Sequence, residues 1–257
     1  MSPQDELLSL RGISKKFGQV VVATDLALSV RGDEALGIVG PNGAGKSSLF
    51  SMISGDLRPD HGSVWFDGKD VTAQSAYRRT RTGIGRTYQV PRPFEHLTVF
   101  ENVLVSAHQG GGRRGRDAYD HAASVLELTG LAAEANTPAG RLGLLQRKRL
   151  ELSRSLGTDP TLLLLDEVAG GLTDPEVTEL VDVVRRIRAA GLAVVWIEHV
   201  VHALVKSVDR MICLAGGRVV ADGAPLDVLA HPDVRELYLG GGPESADATA
   251  DEEKASP

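Results

Sequence analysis

Between the apolar run Ala35-Leu36-Gly37-Ile38-Val39 and the segment Leu49-Phe50-Ser51-Met52-Ile53 stands Gly40-Pro41-Asn42-Gly43-Ala44-Gly45-Lys46-Ser47-Ser48. The order strand, glycine loop, helix is that of a P-loop. A buried strand must feed a turn whose backbone N–H groups, together with the positive end of the next helix, converge on one anion. Nucleotide phosphate is the expected anion. Lys46 would reach the β- and γ-phosphates, and the Ser47 hydroxyl would be offered to Mg²⁺.

A strand buried on both faces needs a partner sheet, and the rest of the chain supplies one. Thr161-Leu162-Leu163-Leu164-Leu165 is a continuous apolar run that ends in Asp166-Glu167, and Ala193-Val194-Val195-Trp196-Ile197 is another that ends in Glu198-His199. Runs without alternation belong to parallel strands covered by helices, and ligands of open α/β sheets sit at the C-terminal strand ends. Residues 7–13 and 25–30 alternate apolar and polar positions, as half-buried antiparallel strands do. Phe17 falls at the turn between them, where its ring could cover a core edge or stack on a base. Residues 63–68 read as a short strand with a turn, and 210–215 with 218–222 as a hairpin about Gly216-Gly217.

Residues 74–156 read as mostly helical. Thr98-Val99-Phe100-Glu101 is a capping box for a helix to about residue 108, and further helices are expected over 117–128, 146–156 and 175–190. The run Gly110-Gly111-Gly112-Arg113-Arg114-Gly115-Arg116 reads as a flexible basic loop, solvated or touching anionic lipid. The tail 240–257 has no hydrophobic pattern and is expected to be disordered.

With 257 residues the chain can bury a large core, and its net charge of −6 argues against a general nucleic-acid binder. The single cysteine, Cys213, cannot pair internally and lies in an apolar run, as a small core residue would. No apolar stretch is long enough to span a bilayer and nothing at the N-terminus suggests secretion, so any membrane role must come through a partner.

The carboxylates after residue 165 complete the chemistry. Asp166 would hold Mg²⁺ directly or through water, and Glu167 would polarise an attacking water. His199 could contact the γ-phosphate or that water, and Gln89 could sense Mg²⁺ and water. A lone His or Gln is usually structural; the order P-loop, Gln, acid pair, His is what changes the reading.

That order resembles the ATP-binding subunits of ABC transporters, over residues 7–240. The resemblance implies an α/β fold: a P-loop NTPase (RecA-like) core with an antiparallel β subdomain and an inserted helical subdomain. It implies one ABC ATPase domain over 1–239, with its core at 1–88 and 157–239 and the helical subdomain at 89–156. Phe17 is then similar to the aromatic that stacks on adenine, residues 40–48 to the ATP-phosphate loop, and Gln89 to the Q-loop. Asp166 and Glu167 resemble the Walker B pair, and His199 the switch histidine. ATP and Mg²⁺ are the implied cofactors, with Ser47, Gln89 and Asp166 around the metal and Lys46, Gln89, Glu167 and His199 catalytic. Residues 92–103, 147–156 and 232–240 look like those of branched-chain amino-acid importer ATPases, a pattern that urea and amide importers share. The implied place is the cytoplasmic face of the cell membrane, peripheral through permease subunits, with a second ATPase subunit and an extracytoplasmic substrate-binding protein as further partners.

The chain departs from that pattern at the signature loop. L-S-G-G-Q, or L-x-x-G-Q in the importers it resembles, falls on Leu142-Gly143-Leu144-Leu145-Gln146, with Leu145 in place of glycine and Gly143 in place of serine. Val168 stands where proline usually follows the acid pair, and Thr173 where Asp or Asn is usual. In the family this loop caps the γ-phosphate held by the opposite subunit, so a Cβ branch would crowd a close backbone approach. Two outcomes are open: a heterodimer in which one site hydrolyses ATP and the other mainly binds it, or a loop that tolerates Leu145. A purely regulatory subunit is a third reading. A soluble ABC ATPase acting on ribosomes or DNA would need a second ATPase unit or a long coiled coil, and the chain has room for neither.

Overall fold

The computed structural model describes residues 6–239, and two sheets organise them. The first is antiparallel, ordered β2-β1-β4-β5, from β1 (Glu6–Phe17), β2 (Val20–Arg31), β4 (His61–Phe66) and β5 (Lys69–Asp70). β1 and β2 are longer than their alternation predicts. Gly12 at φ 59° faces Asp25 at φ 45°, and the register slips between Leu10 and Ile13. Such a bulge inserts a residue and breaks the two-residue period, which hides the continuity of the strand. Phe17 is accordingly the last residue of β1 rather than part of a turn.

The second sheet is ordered β10-β9-β3-β8-β7-β6. β3 (Ala35–Val39), β6 (Ile84–Arg86), β7 (Leu162–Asp166), β8 (Ala193–Ile197) and β9 (Arg210–Ala215) run parallel, and β10 (Arg218–Gly223) closes one edge antiparallel. Every residue of β3, β7 and β8 is buried, the burial expected of strands with helices or a second sheet on both faces. β6 had no counterpart among the expected strands. Three residues give no alternation to read, and only pairing with β7, Ile84 opposite Leu162, places it.

Side-chain alternation along this sheet divides the core in two. Leu36, Ile38, Leu162 and Leu164 face the antiparallel sheet, packing with Leu8, Ile13, Val64 and with Phe50 and Met52 of α1 (Lys46–Ser54). Leu163, Leu165, Val194, Trp196 and Cys213 face the opposite way, in the same cluster as residues of α5 (Leu144–Gly157) and α6 (Asp174–Ala189). Removing each such side chain from water contributes about 1.5–3 kcal/mol. α2 (Ala76–Thr82) precedes β6, and α3 (Val99–Gln109), α4 (Gly115–Thr129) and α5 pack on one another. The capping box at Thr98 and Glu101 is present. α7 (Val201–Val205), α8 (Pro225–Ala230) and α9 (Pro232–Leu239) are short.

The basic loop is shorter than expected, because α4 begins at Gly115. Arg113 is tied down within it: its guanidinium lies 2.7 Å from both Asp117 and Asp159. Disorder over 240–257 was expected from sequence; those residues lie outside the described ones.

Candidate nucleotide site

The parallel register brings the ends of three strands to one level. Ile38 pairs with Ile197, and Ile197 with Asp166. The residues that follow, Gly40 after β3, Glu167 after β7 and His199 after β8, therefore emerge side by side at the C-terminal edge, where an open α/β sheet places its ligand.

At this edge the P-loop turns on two glycines, Gly40 and Gly45, where a Cβ would meet backbone. Gly40 sits at φ 148° and Gly45 at φ 100°; a Cβ on Gly40 would overlap the Leu214 carbonyl oxygen, and one on Gly45 the Val22 carbonyl oxygen. α1 begins at Lys46, three residues earlier than the apolar pattern indicated, so Lys46, Ser47 and Ser48 form its first turn. With this start the free N–H groups of that turn belong to the motif itself, which is the anion-binding arrangement. Lys46 is 6% exposed, and its Nζ donates to the carbonyl oxygens of Gly40 (2.7 Å) and Pro41 (3.0 Å). Burial pushes the ammonium below the usual lysine range, while Glu167 and Asp166 pull it back up. A phosphate at the loop would add counter-charge that compensates the hydration lost on burial. Residues 42–48 line one cleft together with Val20, Val22 and Glu167.

Glu167 occupies the left-handed region at φ 48°, where a non-glycine residue is strained. The conformation aims its carboxylate at two partners. Oε1 lies 2.8 Å from His199 Nε2, and Oε2 accepts from Gln89 Nε2 at 2.5 Å. Gln89, Glu167 and His199, far apart in sequence, thus form one hydrogen-bonded group beside the phosphate loop. Asp166 is buried deeper and is paired with Arg86, whose Nη2 lies 3.1 Å from Oδ2. Burial raises the Asp166 carboxyl above its ordinary range, and Arg86 opposes the rise.

Arg86 went unnoticed in the sequence. Its guanidinium also reaches the hydroxyls of Ser51 and Ser54 on α1 and the Asp56 carboxylate, so one side chain joins α1, β6 and the end of β7. Nothing local marks it, because its role depends on a strand too short to recognise. Lys148 and Glu198, both buried, were missed likewise. A further unanticipated contact comes from α9, where the Tyr238 hydroxyl accepts the Gly40 N–H at 3.1 Å.

Phe17 is 52% exposed, with Lys15 Nζ 5.4 Å from its ring centroid, and an exposed ring leaves a π-face free for a base. Among the described residues no group of three His, Cys, Asp or Glu side chains could hold a metal. The donors present are oxygen-rich and few: the Ser47 hydroxyl, the Asp166 carboxylate and the Gln89 amide oxygen. They fit Mg²⁺, which keeps waters and takes phosphate oxygens rather than a protein cage.

At the loop expected to be the signature, the side chains of Leu144 and Leu145 differ in exposure. Leu145 is 7% exposed and belongs to the chain's own core, because α5 starts at Leu144 and its inward face carries Leu145, Lys148 and Leu152. Leu144 is the outward residue, 45% exposed. The turn before α5 is held by Arg147, which donates to the carbonyls of Leu142 (2.9 Å) and Gly140 (2.8 Å).

Comparison with known proteins identifies the family and the fold. The ABC transporter family model matches residues 23–170, and a second model, of the branched-chain amino acid ATP-binding cassette transporter, matches residues 218–244. An uncharacterized ABC transporter ATP-binding protein of Rhizobium meliloti is 36% identical over 238 residues, covering 92% of this chain and 87% of the relative. The high-affinity branched-chain amino acid transport ATP-binding protein BraF of Pseudomonas aeruginosa is 31% identical, and LivG of Escherichia coli K12 is 32% identical; each alignment covers 91% of this chain and 98% of the relative. Among solved structures, an ATP-binding cassette of an ABC transporter in its ADP conformation superposes with a TM-score of 0.83 at 29% identity, covering 91% of this chain and 99% of that one. On the family match, the relatives and the shared fold, the chain belongs to the ABC transporter family as an ATP-binding subunit, and it is an ATPase.

Proposed function

We propose that this subunit energises the import of branched-chain amino acids, working with a second ATPase subunit, membrane permease subunits and an extracytoplasmic substrate-binding protein. The observation that carries the substrate class is the match of residues 218–244 to the branched-chain family, together with BraF and LivG as relatives along nearly their whole length. In this reading the chain sits at the cytoplasmic face of the membrane; no helix among the described residues is long and apolar enough to cross it. In the same reading residues 89–156 form a helical subdomain carried on the P-loop core.

The chemistry is phosphoryl transfer to water. Phe17 stacks on adenine, and the N–H groups of residues 43–48 and the Lys46 ammonium take up the phosphates. Ser47, Asp166 and the Gln89 amide oxygen would hold Mg²⁺, which when bound would supply positive charge beside the transferring phosphoryl group. Glu167 and His199, already hydrogen-bonded, hold a water in line with the γ-phosphorus and draw its proton as the oxygen attacks. The bond to the β-phosphate oxygen then breaks, leaving ADP and phosphate. Gln89 opens a segment with apolar exposure on both sides, Tyr88 at 45%, Val90 at 66% and Phe94 at 47%, a surface suited to a cytoplasmic helix of the permease.

Two nucleotide sites in the dimer would differ. This chain's own P-loop completes a site with the partner's signature, while the partner's P-loop meets Gly143, Leu144 and the first turn of α5. With Leu145 turned inward, Leu144 is the exposed apolar side chain on this face, beside Gly143 where serine is usual. The test is uptake of labelled leucine and of labelled urea in a strain lacking the gene. Restoration of leucine uptake by the wild type, and not by Lys46→Ala, is the expected result. Restored urea uptake with leucine unaffected would overturn the substrate assignment.

A further inference from the structure

Beneath the Gln89, Glu167 and His199 group lie two buried side chains of opposite charge that no step above uses. Lys148, on the inward face of α5, is 4% exposed, and its Nζ donates to the backbone carbonyl oxygens of Gln89 (3.0 Å) and Glu167 (3.4 Å). Glu198, the residue before His199, is 1% exposed. Its Oε1 accepts from the Ala169 N–H (2.6 Å) and the Trp196 indole N–H (3.3 Å), and its Oε2 from the His199 N–H (3.2 Å).

The two ions clamp one strained turn. Glu167 at φ 48° persists only if its surroundings over-determine it. Its N–H is fixed by the Ile197 carbonyl at 2.9 Å, its carbonyl by Lys148, and the peptide two residues on by Glu198. Burial pushes the Lys148 ammonium below the usual lysine range, with Glu198 the strongest opposing pull and Glu167 and Glu151 adding to it. Burial likewise raises the Glu198 carboxyl, against the hydrogen bonds it accepts. A buried ion whose solvation is lost is retained only where specific contacts compensate. For Lys148 those contacts are the backbones of two residues whose side chains meet at the reacting centre.

We infer that Lys148 and Glu198 are positioning residues: Lys148 locks the start of α5 to the backbones of Gln89 and Glu167, and Glu198 locks the 168–173 turn to His199. The inference rests on the catalytic reading of Glu167 proposed above. A displacement of α5 against the sheet pulls on the Gln89 and Glu167 carbonyls through one ammonium, and a displacement of the 168–173 turn pulls on the His199 backbone through one carboxylate. The water-orienting group is thereby assembled only when both segments are in place.

The test uses the complex purified through a tag on this chain, with Lys148→Met, Lys148→Arg, Glu198→Gln and the control Glu167→Gln. ATPase rates are measured against ATP concentration, and affinity for a fluorescent ATP analogue is measured separately. Misplacement of catalytic groups without loss of binding is expected to lower kcat about 10–100-fold in Lys148→Met and in Glu198→Gln, with KM and analogue affinity changed less than about three-fold. Lys148→Arg, which keeps the donors, is expected to restore kcat to within about five-fold of wild type. Wild-type kcat in Lys148→Met overturns the inference, and so does an equal loss in the Met and Arg variants, which would mean that shape rather than the cation matters. If Lys148→Met yields no folded complex, Lys148→Gln replaces it, and equal rates for Gln and Arg then overturn the inference. A Glu167→Gln complex that still turns over at the wild-type rate refutes the catalytic reading itself. An inactive Glu167→Gln beside a fully active Lys148→Met refutes only the positioning role.

Discussion

Gly43 and Gly45 lie two residues apart in the same loop, both with positive φ, yet alanine should affect them differently. At Gly43 (φ 80°) an added Cβ meets nothing within 4 Å, so Gly43→Ala carries only the left-handed backbone penalty, about 1–2 kcal/mol. At Gly45 (φ 100°) the Cβ would overlap the Val22 carbonyl oxygen of β2, and the relief must come from backbone rather than a side chain. Overpacking of this kind costs a further 1–3 kcal/mol or so. For a chain of this size each kcal/mol moves Tm by about 2–4 °C, so Gly45→Ala is expected to melt about 2–12 °C below Gly43→Ala. Calorimetry of the nucleotide-free protein reads the difference, and titration with an ATP analogue reads the loop: Gly45→Ala should also lose affinity more steeply, because the contact pushes the N-terminus of α1 away from β2. Equal Tm values for the two variants would refute the claim that contact with Val22, and not backbone conformation alone, requires glycine at 45.

Arg86→Ala leaves the Asp166 carboxylate buried without its partner, and breaking a buried pair of this kind should cost about 3–5 kcal/mol in urea unfolding, with nucleotide-dependent turnover lost as well. Asp60 accepts from Lys15 Nζ and from the Lys16 N–H, which hold its carboxyl below the ordinary range. A lowered folded pKa means stability that is present above the ordinary carboxylate range and lost as pH falls through the folded value. Asp60→Asn should therefore melt below wild type at neutral pH, and the gap should close in acid. At the signature loop, Leu145→Ala removes a core side chain at a cost of about 2–5 kcal/mol, whereas Leu144→Ser, at an exposed position, should leave Tm nearly unchanged and alter only the turnover of the assembled dimer.

The parts of the site that lie on continuous motifs were legible in the sequence. Residues 40–48 announce an anion loop because glycine freedom and a following helix are local requirements, and the apolar runs ending at Asp166 and Ile197 announce buried strands because burial on both faces forbids polar interruption. The capping box at Thr98 and Glu101 is equally local. What escaped notice depends on pairing. β6 is three residues long and exists through its ladder to β7, so Arg86 gave no sign of standing beside Asp166. Lys148 and Glu198 read as ordinary charged residues, and only tertiary structure shows them buried. The inward turn of Leu145 was not legible because a motif alignment gives position without helical phase. Once α5 is seen to begin at Leu144, the inward face follows from its period.

The central claim is that this chain turns over ATP through Glu167, held between His199 and Gln89, to drive transport. The direct measurement is the ATPase rate of the reconstituted complex, with and without leucine-loaded binding protein, for wild type and for Glu167→Gln. Leucine-stimulated hydrolysis in the wild type is expected, with a loss of about 10²–10⁴-fold in the variant and ATP binding retained. Hydrolysis in Glu167→Gln at the wild-type rate would contradict the account.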